Sequence, residues 1–316
     1  MMPFQEQSFT LLVVDDIHPV FFDIVQAEGL TIDYRPEISY DEAASIIENY
    51  QGLVVRSKFK VDATLIDRAK QLRIIARAGA GVDNIDVAYS KAKQIKLISA
   101  PEGNCDAVAE HMIGMLLMLM NKLRTGDAEV REGLWLREEN RGMELGGKTV
   151  GLIGYGNNGK AMARKLHGFD VEVLAYDKYN FGFSDDFARE ADMEEIFDKA
   201  DALSFHIPLT PETFRLVDTD FLSRFRKPIL FLNGSRGEIV DMEAVLVALE
   251  GKRIVGAAFD VLPVEKFPAL ALTDWYKRLV DAPNVVLSPH VAGWTVESYF
   301  KIAKVLGEKL VEVLKE

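Results

Sequence analysis

The stretch Gly151-Leu-Ile-Gly154-Tyr-Gly156-Asn157-Asn158-Gly159 decides how the chain is read. The β-branched run Thr149–Ile153 overlaps its start, and a helical pattern through Leu166 follows it. A strand that turns sharply into a helix leaves the first helical N–H groups unpaired, and these together with the helix dipole attract phosphate. Each glycine then has its own reason. Gly154 permits the tight turn, Gly156 lets the backbone approach a pyrophosphate, and Gly159 lets helix and strand pack closely. The next expected strand, Val171–Ala175, runs into Tyr176-Asp177, 21 residues beyond Gly156. A carboxylate there accepts hydrogen bonds from adenosine ribose hydroxyls and repels a 2′-phosphate, which favours NAD over NADP. Incidental glycines in a plain strand-turn-helix are the bland alternative. The flanking strand, helix and acid together argue against it.

Outward from the loop, short apolar runs alternate with helical patterns in both directions. Before it lie Thr10–Val14, Thr31–Tyr34, Gly52–Arg56, Arg73–Ala76 and Lys96–Ile98, with amphipathic stretches such as Asp41–Asn49 and Asp62–Ala69 between them. A helical block, Asp106–Lys122 and Thr125–Glu132, carries no strand signal. After the loop come Ala202–Phe205, Ile229–Leu232, Ile254–Phe259 and Val285–Leu287, and a helix near Val296–Leu314 repeats apolar residues at helical spacing. Near-uniformly apolar strands separated by helices mean parallel sheets covered on both faces. Sets of five and six strands fit two doubly wound domains and argue against an eight-stranded barrel. About 150 residues precede the glycine loop, so the expected organisation is discontinuous: residues 1–100 with 295–316, and residues 101–294. Rigid helical joints are expected near Pro101–Asn104 and Ser288–Trp294.

Composition sets further bounds. A chain of 316 residues exceeds what one core usually serves, and 48% hydrophobic with 27% charged residues suits packed domains. Cys105 is the single cysteine, so a reducing compartment, the cytoplasm, is expected. A net charge of −12 works against nucleic acid and anionic membranes as partners. It also means that an anionic substrate must be drawn in by local basic groups. Met1–Gln7 carries Glu6 and no basic region, which argues against a signal segment. The longest apolar stretch, Met112–Met120, falls short of the ~18 residues of a membrane span and reads as buried helix. The five histidines are scattered and no paired Cys/His ligands occur, so no metal site is expected.

Three expected strands after the loop run into chemically suggestive residues: Asn233-Gly234-Ser235-Arg236-Gly237, Asp260-Val-Leu-Pro-Val-Glu265, and Ser288-Pro-His290-Val-Ala-Gly293. Ligands of open parallel sheets bind at the carboxyl ends of strands, so these termini can share a crevice. Oxidising a hydroxy acid needs a base for the hydroxyl proton while hydride leaves the same carbon. His290 can titrate near neutral pH, and Glu265 on its other ring nitrogen would fix the tautomer and stabilise the charged form. An arginine fork, Arg236, can hold the substrate carboxylate and polarise the carbonyl oxygen in reduction.

With these residues the chain resembles the D-isomer-specific 2-hydroxyacid dehydrogenases, and within them the phosphoglycerate dehydrogenase branch. The likeness is carried by Arg77-Ala-Gly-Ala-Gly-Val-Asp-Asn-Ile-Asp86, Pro101-Glu-Gly-Asn104 with Ala109-Glu110-His111, the glycine loop, His206-Ile-Pro-Leu-Thr-Pro-Glu-Thr213, Asn233–Gly237 and Ser288–His290, in the family's order. The resemblance implies Arg236, Glu265 and His290 as the catalytic set, with His290 as acid/base. It also implies cofactor contacts from Asn157, Asn158, Asp177, Ile207, Thr213, Gly234, Ser235, Asp260 and Gly293. A homodimer through the region of the Met-rich helix is implied as well. Two positions depart from the family: Asn158 stands where an aliphatic residue is usual, and Lys266 where proline usually follows the glutamate. Neither removes a catalytic group.

Other residues take roles from their places. His206 ends a strand beside Pro208 and is expected to line the cofactor cleft, whereas His111 at the start of an apolar helix reads as structural. Arg56, Ser57 and Arg77 end first-domain strands and are expected to grip substrate, with Lys58 as a further phosphate partner. Gly79, Ala80 and Gly81 can present backbone N–H groups to a carboxylate as a nest, and Asn104 joins the substrate set. The overall expectation is an α/β protein of two doubly wound parallel-sheet domains, a flavodoxin-like substrate domain and a Rossmann NAD-binding domain, closing on a small anionic substrate. D-3-phosphoglycerate, in serine biosynthesis, is the preferred substrate. A glyoxylate or hydroxypyruvate reductase is the nearest alternative, and an NAD(H)-binding, corepressor-like dimeric module the alternative of another class. The sequence ends 26 residues after His290, so a C-terminal regulatory domain is not expected.

Overall fold

Successive residues of a strand face opposite sides of a sheet, and here both sides are apolar. In the computed structural model, which describes residues 9–315, Leu11 and Val13 face one buried cluster while Leu12 and Val14 face another. Met1–Gln7, whose lack of a basic region argues against a signal segment, lie outside the described residues. The chain divides into two compact units, one reaching Asn104 and resuming at Trp294, the other running from Cys105 to Gly293.

The first unit contains β1 (Thr10–Val13), α1 (Val20–Ala27), β2 (Thr31–Tyr34), α2 (Tyr40–Ile46), β3 (Gly52–Val55), α3 (Ala63–Arg68), β4 (Ile74–Arg77), α4 (Val87–Ala92) and β5 (Lys96–Ser99). Its five strands are all parallel in the order β2-β1-β3-β4-β5, the flavodoxin-like winding. Polar residues start the short helices. Ser39 and Glu42 form a reciprocal capping box on α2, and Asp62 and Asp86 each accept an N–H from the first turns of α3 and α4. The helix Val296–Lys315 belongs to this unit. Its Ile302, Ala303, Leu306 and Leu310 are buried with Phe21 and Val25 of α1 against one face of the sheet.

The second unit opens with α5 (Cys105–Met120) and α6 (Leu123–Arg131). It continues through β6 (Thr149–Ile153), α7 (Asn157–Leu166), β7 (Glu172–Tyr176), β8 (Arg189–Glu190), α8 (Met193–Lys199), β9 (Ala202–Phe205), α9 (Thr219–Ser223), β10 (Ile229–Asn233), α10 (Met242–Glu250), β11 (Ile254–Phe259), α11 (Tyr276–Asp281) and β12 (Val285–Leu287); the helix at 296–315 is α12. Seven parallel strands lie in the order β12-β11-β10-β9-β6-β7-β8, the Rossmann order with one strand beyond it, and the winding reverses between β6 and β9. Phe205, Phe231 and Phe259 form a ladder on one face, with neighbouring ring centroids 5.5 and 5.6 Å apart. The opposite face packs Leu152, Leu230, Leu232 and Ala258 against Met112, Met115, Leu116 and Met162. Met112 is fully buried there, so α5 is core on one side. Two expectations change. A two-residue polar strand, β8, adds a seventh member at the edge. Ser288–Trp294 is irregular rather than helical, because its backbone N–H groups turn to Asp260 and Pro289 interrupts any helical ladder.

Candidate active site

Because the seven strands are parallel, their carboxyl ends line one edge of the second unit. The glycine loop follows β6 there, Asp177 follows β7, His206 follows β9, Arg236 lies beyond β10, Asp260 follows β11 and His290 lies beyond β12. Backbone bonds tie neighbouring ends: Gly154 N–H to Tyr176 O at 2.7 Å, His206 N–H to Ile153 O at 2.7 Å, Asp260 N–H to Asn233 O at 3.0 Å and Ser288 N–H to Phe259 O at 3.0 Å.

The glycines of the loop differ in what a side chain would meet. Gly154 has φ +97°, and a Cβ there would stand 2.5 Å from the His206 carbonyl oxygen. At Gly159 a Cβ would lie 2.2 Å from Gly154 O, which makes the helix–strand contact glycine-only. At Gly156 nothing lies within 4 Å, so the space in front of the α7 N-terminus is open. No side chain caps α7. An open approach to uncapped N–H groups at Asn157, Asn158 and Gly159 fits a pyrophosphate. Asn158 Oδ1 is buried and has no hydrogen-bond partner. Asp177 is tied into the loop, accepting from Tyr155 N–H at 2.9 Å and from Tyr179 and Asn180 N–H at 3.0 and 3.1 Å. Burial pushes its pKa up, but these backbone donors outweigh it and hold the carboxyl below its ordinary value.

His206 is less available than its position suggests. Its Nε2 lies 3.1 Å from Ser204 Oγ and 3.2 Å from Met162 Sδ, and Nδ1 is buried without a partner. Burial lowers its pKa to about 4, so the ring is neutral near pH 7. What His206 turns toward the glycine loop is its carbonyl, not its imidazole. Ile207 and Pro208 continue the same segment, where Thr213 Oγ1 donates to Pro208 O at 2.7 Å and accepts from Thr210 N–H at 2.8 Å.

The turn after β10 is organised by Asn233, which is fully buried. Its Oδ1 accepts from Ser235 N–H and Oγ–H, and its Nδ2 donates to Arg236 O at 2.9 Å. Gly234 in the same turn packs against Met112. Ser235 thus spends its hydroxyl proton within the turn, and Arg236 is presented from it, one Nη donating to Ser235 O at 2.6 Å. His290 Nδ1 stands 2.9 Å from Glu265 Oε2, with both side chains roughly half exposed. The Glu265 hydrogen bond raises the His290 pKa above its ordinary value; burial and the positive Arg236 oppose it, and Asp260 assists. His290 and Glu265, 25 residues apart in sequence, therefore meet at this edge.

Asp260 is 2% exposed, and its carboxylate is occupied. Oδ1 accepts from Ser288 Oγ–H at 2.6 Å and Val291 N–H at 2.9 Å, and Oδ2 accepts from Ala292 N–H at 2.9 Å. In this structure Asp260 holds the His290 loop; Gly293 ends that loop. Ser288 and His111, whose Nε2 lies 2.8 Å from Ser288 Oγ, are parts of this site that sequence reasoning misses. Ser288 stands in the Ser288–His290 motif, but its partner on α5 is 177 residues away. Among the described residues, no group of three or more His, Cys, Asp or Glu side chains is arranged to hold a metal ion. Nor is any helix among them long and apolar enough to cross a membrane.

In the first unit, Asp15 accepts N–H groups from Arg56, Ser57 and Lys58 at 2.5, 3.1 and 3.2 Å, fixing the turn after β3. The Arg56 guanidinium stacks 4.5 Å from the Trp294 ring centre, and its Nη1 is buried without a hydrogen-bond partner. Lys58 Nζ instead donates to Pro36 O. Arg77 lies over Gly79, whose Cβ would fall within bonding distance of the guanidinium. The nest expected from Gly79, Ala80 and Gly81 loses its first donor, since Gly79 N–H points to Arg77 O at 2.9 Å. Asn104 Oδ1 is buried with no partner.

Residues 113–292 match the family model of the NAD-binding domain of D-isomer-specific 2-hydroxyacid dehydrogenases. The chain is 33% identical to D-3-phosphoglycerate dehydrogenase of Archaeoglobus fulgidus over 310 residues, covering 96% of this chain and 57% of the relative. It is 34% identical to hydroxypyruvate reductase of Thermotoga maritima over 275 residues, covering 87% and 88% respectively. A Thermus thermophilus protein of known structure superposes with a TM-score of 0.81 at 30% identity, covering 97% of both chains. The chain spans little more than half the length of the phosphoglycerate dehydrogenases it matches.

Proposed function

The chain belongs to the D-isomer-specific 2-hydroxyacid dehydrogenases, and on that footing we propose that it interconverts a D-2-hydroxy acid and its 2-keto acid with NAD(H), with D-3-phosphoglycerate as the preferred substrate. The observation that carries the reading is the 2.9 Å pair of His290 and Glu265, on the strand edge that also bears the glycine loop. NAD, when bound, supplies the acceptor or donor of hydride at the substrate's C2. In oxidation, His290 Nε2 takes the hydroxyl proton; Glu265 keeps the other nitrogen protonated and favours the imidazolium that results. In reduction the same nitrogen returns the proton to the carbonyl oxygen. Arg236 binds the substrate carboxylate and polarises that oxygen.

Asn157, Asn158, Gly159, Asp177, Ile207, Thr213 and the strand-end turns at Gly234, Ser235, Asp260 and Gly293 are the proposed cofactor contacts. Arg56, Ser57, Arg77, Ala80, Gly81 and Asn104 are the proposed substrate contacts. The unit from Cys105 to Gly293 is then the NAD-binding domain, and the unit that reaches Asn104 and resumes at Trp294 the substrate domain, a boundary four residues later and one residue earlier than expected from sequence. A homodimer is supported by apolar side chains left exposed in and after α6: Trp135, 77% exposed, and, along the same stretch of chain, Leu123, Val130, Leu134, Leu136 and Met143. The single cysteine supports a cytoplasmic setting.

A hydroxypyruvate reductase is the second reading, favoured by the match to the Thermotoga enzyme over 88% of that protein's length. An NADH-consumption assay with phosphohydroxypyruvate, hydroxypyruvate and glyoxylate decides between them. Preference for the phosphorylated acid supports the first reading, and preference for either of the others selects the second. His290→Ala should lower turnover by about 10²–10⁴ on the best of the three. A mutant with wild-type turnover would remove the acid–base assignment.

A further inference from the structure

We propose that His111 is a positioning residue for proton transfer: through Ser288 and Asp260 it fixes the loop that carries His290. The inference rests on His290 being the acid–base group. It starts from the backbone of His290, whose φ of +56° lies in the left-handed region that residues other than glycine occupy uncommonly. Such a conformation persists only where surrounding bonds impose it. Here they come from one residue. Asp260 O accepts His290 N–H at 2.8 Å, and its carboxylate takes Val291 N–H, Ala292 N–H and Ser288 Oγ–H. The residues on both sides of His290 are therefore clamped to a single buried carboxylate.

The direction of the hydrogen bonds extends the clamp to α5. Ser288 has one hydroxyl proton. Pointed at His111, it would leave Ser288 Oγ and Asp260 Oδ1 facing each other at 2.6 Å with no proton between them, which is repulsive. The proton therefore goes to Asp260, and Ser288 must receive one from His111 Nε2–H at 2.8 Å. His111 Nε2 also lies 3.6 Å from Asp260 Oδ1, so its N–H dipole favours the same carboxylate. The anchor is rigid: α5 spans 16 residues and buries Val108, Ala109, Met112 and Met115 around His111. None of the polar side-chain atoms in this chain from helix to hydroxyl to carboxylate is the proton-transferring nitrogen, and all of them converge on the loop that carries it.

The test uses the full chain and whichever keto acid is reduced best. His111→Ala and Ser288→Ala should each lower kcat about tenfold or more, as small displacements of a catalytic group do, with KM and the NADH dissociation constant (read by NADH fluorescence) changed less than about threefold. His111→Gln, which keeps a donor near the position of Nε2, should recover most of the loss. The double variant His111→Ala with Ser288→Ala should be no slower than the slower single variant, because both break one chain. A wild-type kcat in His111→Ala, no recovery in His111→Gln, or losses that multiply in the double variant would each overturn the proposal. Should His111→Ala not fold, Ser288→Ala, which removes one oxygen, decides alone by its kcat against its NADH affinity. His290→Ala is measured alongside: if that variant keeps its activity, the acid–base assignment fails, whereas an inactive His290→Ala with a fully active His111→Ala refutes only the positioning role.

Discussion

Glu265 sets the pH at which His290 changes charge. Its hydrogen bond stabilises the imidazolium, and the folded-state pKa is raised accordingly. With His290 as the proposed acid–base group, reduction needs the protonated ring, so its rate should be full at low pH and fall as pH rises through that raised value. Oxidation needs the neutral ring and should rise over the same interval. Replacing Glu265 with Gln removes the largest raising influence, so both transitions should move to lower pH; kcat/KM against pH in the two directions checks this, and unmoved transitions would show that Glu265 does not tune the ring. Pairing Glu265 with His290 was legible in sequence because both follow strand ends and their chemistries complement each other. Asp260 was legible only as a strand-end acid. That its carboxylate holds backbone N–H groups could not be read, because backbone donors leave no mark in residue type. For the same reason His206 reads as a cleft residue, although its imidazole is packed beside Met162.

At the scale of the element, two of the three glycines of the β6–α7 turn make separable predictions. A methyl at Gly159 would press on Gly154 O from 2.2 Å, and backbone on both sides cannot yield cheaply. Gly159→Ala should cost about 1–3 kcal/mol of stability and lower the melting temperature. A methyl at Gly156 meets nothing within 4 Å, so Gly156→Ala should melt close to the wild type yet bind NADH about tenfold or more weakly, because it fills the space a pyrophosphate would use. Thermal unfolding and NADH fluorescence on both variants check the pair, and equal effects on both measurements would contradict it. The strands were readable because each is apolar on both faces and bounded by helical patterns. The Arg189–Glu190 strand escaped because two polar residues at a sheet edge carry no period at all. Ser288–Trp294 reads in sequence as a stiff helix, yet its shape is dictated by a carboxylate in another strand's turn.

At the scale of the molecule, the acidic surface and the apolar side chains around α6 pull in different directions. A net charge of −12 keeps copies apart, so association requires a local apolar contact strong enough to prevail. If Trp135 sits in that contact, Trp135→Glu should convert a dimer into monomers at micromolar concentration, as measured by analytical ultracentrifugation, with unchanged circular dichroism. A monomeric wild type at that concentration would rule out the proposed dimer. Connectivity also has a consequence for synthesis on the ribosome. The sheet of the first unit is translated early, but α12, which covers Phe21, Val25 and one face of that sheet, is made only after residues 105–293. For that interval the nascent chain displays an uncovered apolar face, whereas the second unit has its last strand by Leu287, before α12 begins. The first unit, begun earliest, therefore completes its native packing after the second.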